Sequence, residues 1–400
     1  MVTQSSAPLD EDLKRRIDQH RATVEEAYGA YAELREKCPV AHSDAHGGYY
    51  LLTRRSDILK AALDWKTFSS ARGVHLPPNL TRPPLPAIEN DPPEHAFWRK
   101  LYTDALTPEA LEAMRPHVER IADGLIDAFA GRGGVDLVSE YANPLPVLGI
   151  TTAIGLSGKS TDQIHELALA LTESVANPEV QQRAVDRLAE FILGEIYARR
   201  REPRDDYLTK IALTEIDGRQ MPDGQMALFM IGFLVAGHET TSSSLVNLMF
   251  HVLGDPELMR RVLQDDKALA DAIEESVRLA SPFHGFSRTT TKPVEIGGEI
   301  IPEDQIVRLC WASANRDPAV YAHPDEFDID RPNRAHLGFG AGRHVCAGAG
   351  FARLEMGVAL RRLLTRLPDI ALTQDRLDWN FVGGMMTLPE RLGAKFSPAG

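Results

Sequence analysis

The sequence predicts a mainly α-helical chain with small β-sheets. Three observations carry that prediction. Apolar residues recur at helical spacing over long spans, most clearly 107–129 and 179–200. Residues 222–253 read as one long helix, apolar almost throughout. Strand signals, by contrast, are short: Gly48-Tyr49-Tyr50-Leu51-Leu52, and a stretch over 281–307 with a hairpin turn at Gly297-Gly298. No internal repeat, low-complexity tract or linker interrupts the chain, so residues 1–400 are expected to form a single domain.

Taken in order, residues 1–20 read as a loose polar lead. A helix is predicted over 28–37, stopped by Pro39, and another over 56–63 with Ser56 as its cap. Residues 69–90 form a proline- and glycine-rich loop of a length that usually signals function or disorder. Asp91-Pro92-Pro93 opens the next helix, with Asp91 as cap and proline in the first turn. Thr107-Pro108-Glu109 caps the following one, which Gly131 to Gly134 break. Helices follow over 143–154, 161–175, 179–200, 222–253 and 271–279, with the charged stretch 199–206 read as a solvated turn.

The chain carries a net charge of −13, which argues against a nucleic-acid partner. Its three cysteines, Cys38, Cys310 and Cys346, are far apart and form no C-x-x-C, which excludes a disulfide framework and a zinc site. The N-terminus is polar and charged, unlike a signal peptide or membrane anchor. A cytoplasmic, membrane-free, monomeric protein is the expectation.

Residues 336–367 are the most informative stretch. A loop with Gly338, Gly340 and Gly342 leads to Cys346, and a helix is predicted from Ala347 until Pro368 stops it. A cysteine at a helix N-terminus favours the thiolate. Phosphate binding does not fit: G-x-G-x-x-G fails because its last position falls on Arg343, Val345 or Arg353. A turn followed by a buried cysteine, packing as a small hydrophobe, leaves Phe339, His344 and the glycines unexplained.

The pattern Phe339-Gly340-x-Gly342-x-His344-x-Cys346-x-Gly348 resembles the haem-binding loop of the cytochrome P-450 family, in its soluble bacterial type. The resemblance implies the triangular helical haem domain of that family. It also implies haem b (iron protoporphyrin IX) between the central and proximal helices, with Cys346 as iron ligand. Glycines let backbone approach a flat macrocycle, Phe339 would shield the sulfur, and a thiolate ligand favours O–O cleavage.

Other motifs take meaning from the same resemblance. His95 and Arg99, four apart on a helix face, read by themselves as a solvated basic face; they resemble the family's H-x-x-x-R pair on a haem propionate. Arg288 falls where a further propionate-binding arginine is placed. Ala236-Gly237-His238-Glu239-Thr240-Thr241 interrupts the long apolar helix and resembles the central motif A-G-x-[DE]-T-[TS]. That match implies that Ala236 and Gly237 border the haem, Thr240 assists bound dioxygen, and Glu239 helps relay protons. Polar groups inside a buried helix also suggest a cavity in their own right. Glu275 and Arg278, by default a surface ion pair, resemble the structural E-x-x-R lock, with Arg331 as third member. Val235, Phe283, His284, Phe286, Met385 and Met386 are expected to line the substrate pocket.

The implied reaction is oxygen-dependent hydroxylation or O-dealkylation of a small, mostly apolar molecule such as a terpenoid, aromatic acid or fatty acid. Electrons would come from a ferredoxin and ferredoxin reductase, docking where Arg343 and Arg353 offer positive charge. Two alternatives stand beside it. One is a hydrogen-peroxide-dependent peroxygenase, against which the Glu239–Thr240 pair argues. The other is a haem sensor or carrier, which needs no such relay. In the long loop, Arg72, His75 and Arg82 either bind a substrate carboxylate or face solvent; His284 is a candidate donor to an oxygenated terpenoid.

Overall fold

The structure, a computed structural model, describes residues 9–18, 21–78, 83–156, 163, 167, 178–216, 218–332, 335–382 and 385–398. Its helices are α1 (Glu11–Ile17), α2 (Val24–Lys37), α3 (Arg55–Leu63), α4 (Glu94–Ala105), α5 (Pro108–Ala130), α6 (Pro144–Ala153), α7 (Pro178–Arg201), α8 (Tyr207–Ala212), α9 (Asp223–Gly254), α10 (Pro256–Gln264), α11 (Asp266–Ala280), α12 (Trp311–Ala314) and α13 (Ala349–Arg366). The strands are β1 (Val40–Ser43), β2 (Tyr49–Leu52), β3 (Phe68–Ser69), β4 (Gly134–Asp136), β5 (Glu215–Ile216), β6 (Arg219–Gln220), β7 (Phe286–Thr290), β8 (Val294–Ile296), β9 (Glu299–Ile301), β10 (Ile306–Leu309), β11 (Ala371–Leu372), β12 (Trp379–Val382), β13 (Met386–Pro389) and β14 (Gly393–Lys395). The prediction of a mainly helical protein with small sheets holds. The helix expected over 161–175 lies outside the described residues apart from 163 and 167, as do Arg82 and the Gly383-Gly384 tip.

The chain divides into two compact units, and the first comprises Met1–His95, Glu274–Cys346 and Trp379–Leu388. Its frame is a five-stranded sheet in the order β1-β2-β10-β7-β3. Strand β2 runs antiparallel to β1 (Val40 opposite Leu52) and parallel to β10 (Tyr50 opposite Val307). Tyr31 and Leu34 of α2, Ile58 of α3, Leu52, Leu309 and Trp311 are buried together in its core. Helix α2 begins earlier than periodicity suggested because Thr23 and Glu26 form a reciprocal capping box. The β8–β9 hairpin turns at Gly297 and Gly298, whose φ values of 59° and 86° belong to the left-handed region.

Three sequence expectations in this unit need correction. The lead over 1–20 contains α1, which Asp10 caps through the Leu13 N–H and which buries Leu13 and Ile17 one turn apart. Ser56 caps nothing, since α3 starts after Arg54 without a side-chain cap. The Asp91 carboxylate turns from its helix to the Ser70 N–H (3.1 Å) and the Ser69 hydroxyl, pinning the strand edge at β3.

The second unit comprises Ala96–Ile273, Ala347–Asp378 and Pro389–Gly400. Helix α9 is its axis, buried along most of its length and packed by α6, α7 and α13. Thr107 caps α5 as predicted, accepting the Ala110 N–H. Arg362 and Arg366 of α13 pair with Asp123 and Asp127 of α5. The solvated turn expected over 199–206 is half wrong. Arg199 is 1% exposed and satisfied by Asp206 (2.9 Å), Glu195 (2.6 Å) and the Gly155 carbonyl (2.9 Å), so a sequence run of charges hides a buried ionic anchor. Among the described residues no helix is long and apolar enough to cross a membrane.

Glu355 of α13 is the most costly group in this unit. It is 1% exposed, and its Oε1 has no hydrogen-bond partner among the described residues. The carboxyl presses against α6, where a Cβ added to Gly149 would lie 2.1 Å from Oε1. Burial pushes its pKa well above the ordinary 4.5. The folded state therefore binds a proton that the unfolded chain releases above that value. Stability is greatest below it and falls as pH rises toward the raised folded value. Urea midpoints at about pH 5 and about pH 8 should converge in Glu355→Gln, which keeps the shape and cannot ionise. An unchanged pH slope in the glutamine variant would show that Glu355 is not its source.

Candidate functional site

In the first unit the site is built on the loop to Cys346. Leu337 donates its N–H to Asn315 Oδ1 (2.6 Å), Gly340 closes a turn onto the Leu337 carbonyl (2.9 Å), and Cys346 donates back to the Phe339 carbonyl (2.8 Å). Gly340 and Gly342 both have φ of 71°. Gly342 has a second reason to be glycine: a Cβ there would sit 2.4 Å from the Ala62 carbonyl of α3. The loop thus folds back on itself and leaves the Cys346 side chain exposed. Helix α13 begins at Ala349, with Gly348 at its N-cap position, slightly later than predicted.

Around the loop lies a polar group that sequence spacing did not join. His344 Nε2 is 3.2 Å from the Ser70 hydroxyl, and its ring stacks edge-on against buried His95 at 4.6 Å. Arg288, in β7, is buried, and its hydrogen bond among the described residues is Nη1 to the Ser287 carbonyl at 2.7 Å. No carboxylate among the described residues lies within ion-pair distance of it. Burial pushes this guanidinium down to about 10, with Asp91 opposing. A buried cation without a bound anion suits a carboxylate-bearing ligand.

Glu275, Arg278 and Arg331 come together, all buried. Arg278 holds Glu275 through Nε and Nη2, both at 2.8 Å, and Arg331 Nε reaches the same carboxylate at 3.2 Å. Burial alone would raise the Glu275 pKa; Arg278, the Asp328 N–H and Arg331 outweigh it and hold it below the ordinary value. The guanidinium groups continue to the carbonyls of Asn315, Pro324, Glu326 and His323. The surface pair read as the default from sequence is therefore a buried node that fixes the irregular chain leading to the cysteine loop.

The residues assigned to a substrate pocket separate. Phe283 and Phe286 stack at 4.9 Å, and Met386 bridges Phe283 across the strands. His75 approaches Met385, Nδ1 to Sδ 3.1 Å. Arg72 is exposed and pairs with Asp304. His284 is corrected too: its ring is 0% exposed, packed between Tyr28 and Phe381, with Nδ1 3.1 Å from the Tyr31 hydroxyl. Burial, then Arg308 and Arg316, hold its pKa well below the ordinary value, so the imidazole is a neutral, buried group.

In the second unit, α9 carries Ala236, Gly237, Glu239 and Thr240. Thr240 donates to the Ala236 carbonyl at 2.9 Å, the back-bond anticipated from the sequence. Val235, at 39%, and Ala236 are exposed midway along a helix that is buried over most of its length. A Cβ on Gly237 would meet nothing nearer than Ile150 at 3.9 Å. Packing therefore does not require glycine there. Helix α4 carries Arg99, half-buried, one turn beyond His95. What sequence reading missed was Asn315 as anchor of the loop; the signal was a polar Asn315-Arg316-Asp317 run directly after the apolar 309–312 segment.

Comparison with known proteins converges. The cytochrome P-450 family model matches residues 162–368. Cytochrome P-450 107B1 of Saccharopolyspora erythraea is 35% identical over 393 residues, covering 93% of this chain and 96% of its own. The 6-deoxyerythronolide B hydroxylase of the same organism is 34% identical, with 91% and 96% covered. Cyclomarin C epoxidase CymV of Salinispora arenicola is 33% identical, with 87% and 90% covered. Among solved structures, CYP108D1 of Novosphingobium aromaticivorans matches with a TM-score of 0.88 at 27% identity, covering 98% of this chain and 100% of that one.

Proposed function

This chain belongs to the cytochrome P-450 family of monooxygenases, and from that premise we propose that Cys346 is the axial thiolate of a haem b and that the enzyme hydroxylates or O-dealkylates a small, mostly apolar organic molecule. The observation that carries the proposal is the cysteine loop: two left-handed glycines, one pressed onto the Ala62 carbonyl, and a Cys346 N–H tied back to Phe339 beside an exposed thiol. The residues present fit the group. Arg288 is a buried cation awaiting an anion, and Gly237 keeps room that its own unit does not fill. In this reading residues 1–400 are a single haem-thiolate monooxygenase domain.

Haem, when bound, activates dioxygen and supplies the oxidising power that inserts one oxygen atom into substrate. The chain does the rest. Arg288, His95, Arg99 and His344 hold the propionate carboxylates by charge-assisted hydrogen bonds, and Phe339 shields the Cys346 sulfur. The Thr240 hydroxyl, oriented by the Ala236 carbonyl, and the Glu239 carboxylate deliver protons without admitting bulk water. This relay favours dioxygen over hydrogen peroxide as the oxidant. The stacked Phe283 and Phe286, with Met385, offer an apolar wall. The substrate is a small molecule such as a terpenoid, aromatic acid or fatty acid. Relatives named 6-deoxyerythronolide B hydroxylase and cyclomarin C epoxidase support insertion of oxygen into an organic substrate. Electrons come from a ferredoxin and its reductase, docking beside Arg343 and Arg353, and the enzyme works as a cytoplasmic monomer.

Carbon monoxide added to the reduced, haem-loaded protein tests the axial assignment: a strongly red-shifted absorbance supports it, and a nitrogen-ligated spectrum rejects it. A titration panel of terpenes, aromatic acids and fatty acids, followed by the Soret shift, tests the substrate class. Thr240→Ala should consume NADH through a ferredoxin pair while diverting electrons to peroxide, with product per NADH falling about tenfold or more. Unchanged coupling would remove Thr240 from the relay. Full turnover on peroxide with no donor would instead favour the peroxygenase.

A further inference from the structure

We propose that His336 and Glu274 form a positioning pair that holds the Cys346 loop in the geometry needed for ligation, an inference that rests on the reading of Cys346 as the iron ligand. The His336 side chain is 4% exposed and stands at the entry to the loop. Its Nδ1 lies 3.1 Å from the Gly338 N–H. A backbone amide can only donate, so Nδ1 is the acceptor and the proton sits on Nε2. Nε2 in turn lies 3.1 Å from Glu274 Oε2 on α11 and donates to that carboxylate. Both ring nitrogens are thereby used, and the geometry alone fixes the tautomer.

The pair acts on the piece of backbone that matters. Gly338 has no freedom to shift toward α11, since a Cβ on it would lie 2.7 Å from Val277 Cγ1 and 2.9 Å from the Val277 carbonyl. The His336 ring also flanks Phe339, with centroids 5.6 Å apart. Phe339, the following residue, supplies the carbonyl that accepts the Cys346 N–H at 2.8 Å. A continuous chain therefore runs from the Glu274 carboxylate through His336, the Gly338 amide and the Phe339 carbonyl to the Cys346 amide. Asn315 pins the adjacent Leu337 amide independently. With both anchors in place the peptide planes before the turn are fixed; without His336 the Gly338 amide is left to rotate toward water. Outer partners that fix the backbone carrying a ligand orient that ligand.

Two substitutions separate the two hydrogen bonds of the ring. His336→Gln can still reach Glu274 but offers no acceptor at the Nδ1 position. His336→Asn can accept the amide two residues on, as in an Asx turn, but is too short for Glu274. The readout is the rate at which the reduced carbon monoxide complex loses its red-shifted band in mild urea, beside thermal unfolding by circular dichroism. His336→Gln should lose the band about 10-fold to 100-fold faster than wild type, His336→Asn should recover part of that loss, and the unfolding temperature should stay near wild type. Loss of the band at the wild-type rate in His336→Gln, or loss strictly in step with unfolding in both variants, overturns the proposal. Should His336→Gln fail to fold, Glu274→Gln carries the test, with faster loss expected and a wild-type rate overturning the pair. A wild-type protein that never shows the band would refute the Cys346 ligand itself, and the role of the pair with it.

Discussion

Cys346→Ser abolishes the red-shifted carbon monoxide band and monooxygenase activity, while leaving the fold of the haem-free chain intact. The chemistry sets the size of the effect. A cysteine thiolate is an anionic, electron-donating ligand; a serine hydroxyl does not ionise near neutral pH and is a poor donor to iron. The push of electron density that favours O–O cleavage is lost, and product formation in the presence of dioxygen and electron donors should fall below detection. The structure predicts little else. Cys346 is exposed, and the loop's own bonds run through backbone groups: Cys346 N–H to the Phe339 carbonyl, Gly340 N–H to the Leu337 carbonyl. Substituting one small side chain for another leaves those bonds in place. Circular dichroism and urea unfolding of the haem-free variant should match wild type. A serine variant with full activity would contradict the ligand assignment, and a variant that loses activity only because it unfolds would leave the loop, not the sulfur, as the cause.

Much of this site was legible because its residues act locally. Gly340, Gly342 and Cys346 are read from a contiguous loop, and the Thr240 back-bond to Ala236 follows from helical spacing alone. The length and ends of α5 and α9 were likewise local, set by Thr107 and by proline and glycine. What was not legible required contacts between distant positions. Arg199 stands in a charged run that looks solvated, and only the return of the chain at Asp206 and Gly155 buries it. His284 looks like a pocket donor until Tyr31, more than two hundred residues earlier, takes its Nδ1. Arg72 has two readings that sequence could not separate, and its partner Asp304, at the β9–β10 turn, lies more than two hundred residues away. Asp91 illustrates the same limit at short range, because a good helix cap was claimed first by Ser69 and Ser70. Local propensity predicts which residues can do a job, and tertiary packing decides which job they are given.

The largest stability effect expected in the molecule belongs to Glu275. Its carboxylate receives four hydrogen bonds from Arg278, Arg331 and the Asp328 amide, at 2.8, 2.8, 3.2 and 2.9 Å. Glu275→Ala removes the one anion shared by two buried guanidinium groups and leaves both without a countercharge. Breaking a buried pair in this way costs about 3–5 kcal/mol, far above the ~0–1 kcal/mol expected had the pair been at the surface. Solvation does not rescue the arginines readily, since Arg278 is 1% exposed and Arg331 3%. Some of their donors still reach the carbonyls of Asn315, Pro324, His323 and Glu326, which limits the collapse to the 315–331 segment before it spreads. Because Asn315 also holds Leu337, that segment is coupled to the cysteine loop. Glu275→Ala should therefore lower the urea midpoint and weaken haem retention together, whereas Glu275→Gln, which keeps acceptors but not the charge, should lose less of both. Equal midpoints for wild type and Glu275→Ala would show that the arginines are stabilised by their carbonyl partners alone. In that case Arg278→Met, which strands the carbonyls of Asn315, Pro324 and Glu326 as well as the carboxylate, would be the harsher change of the two.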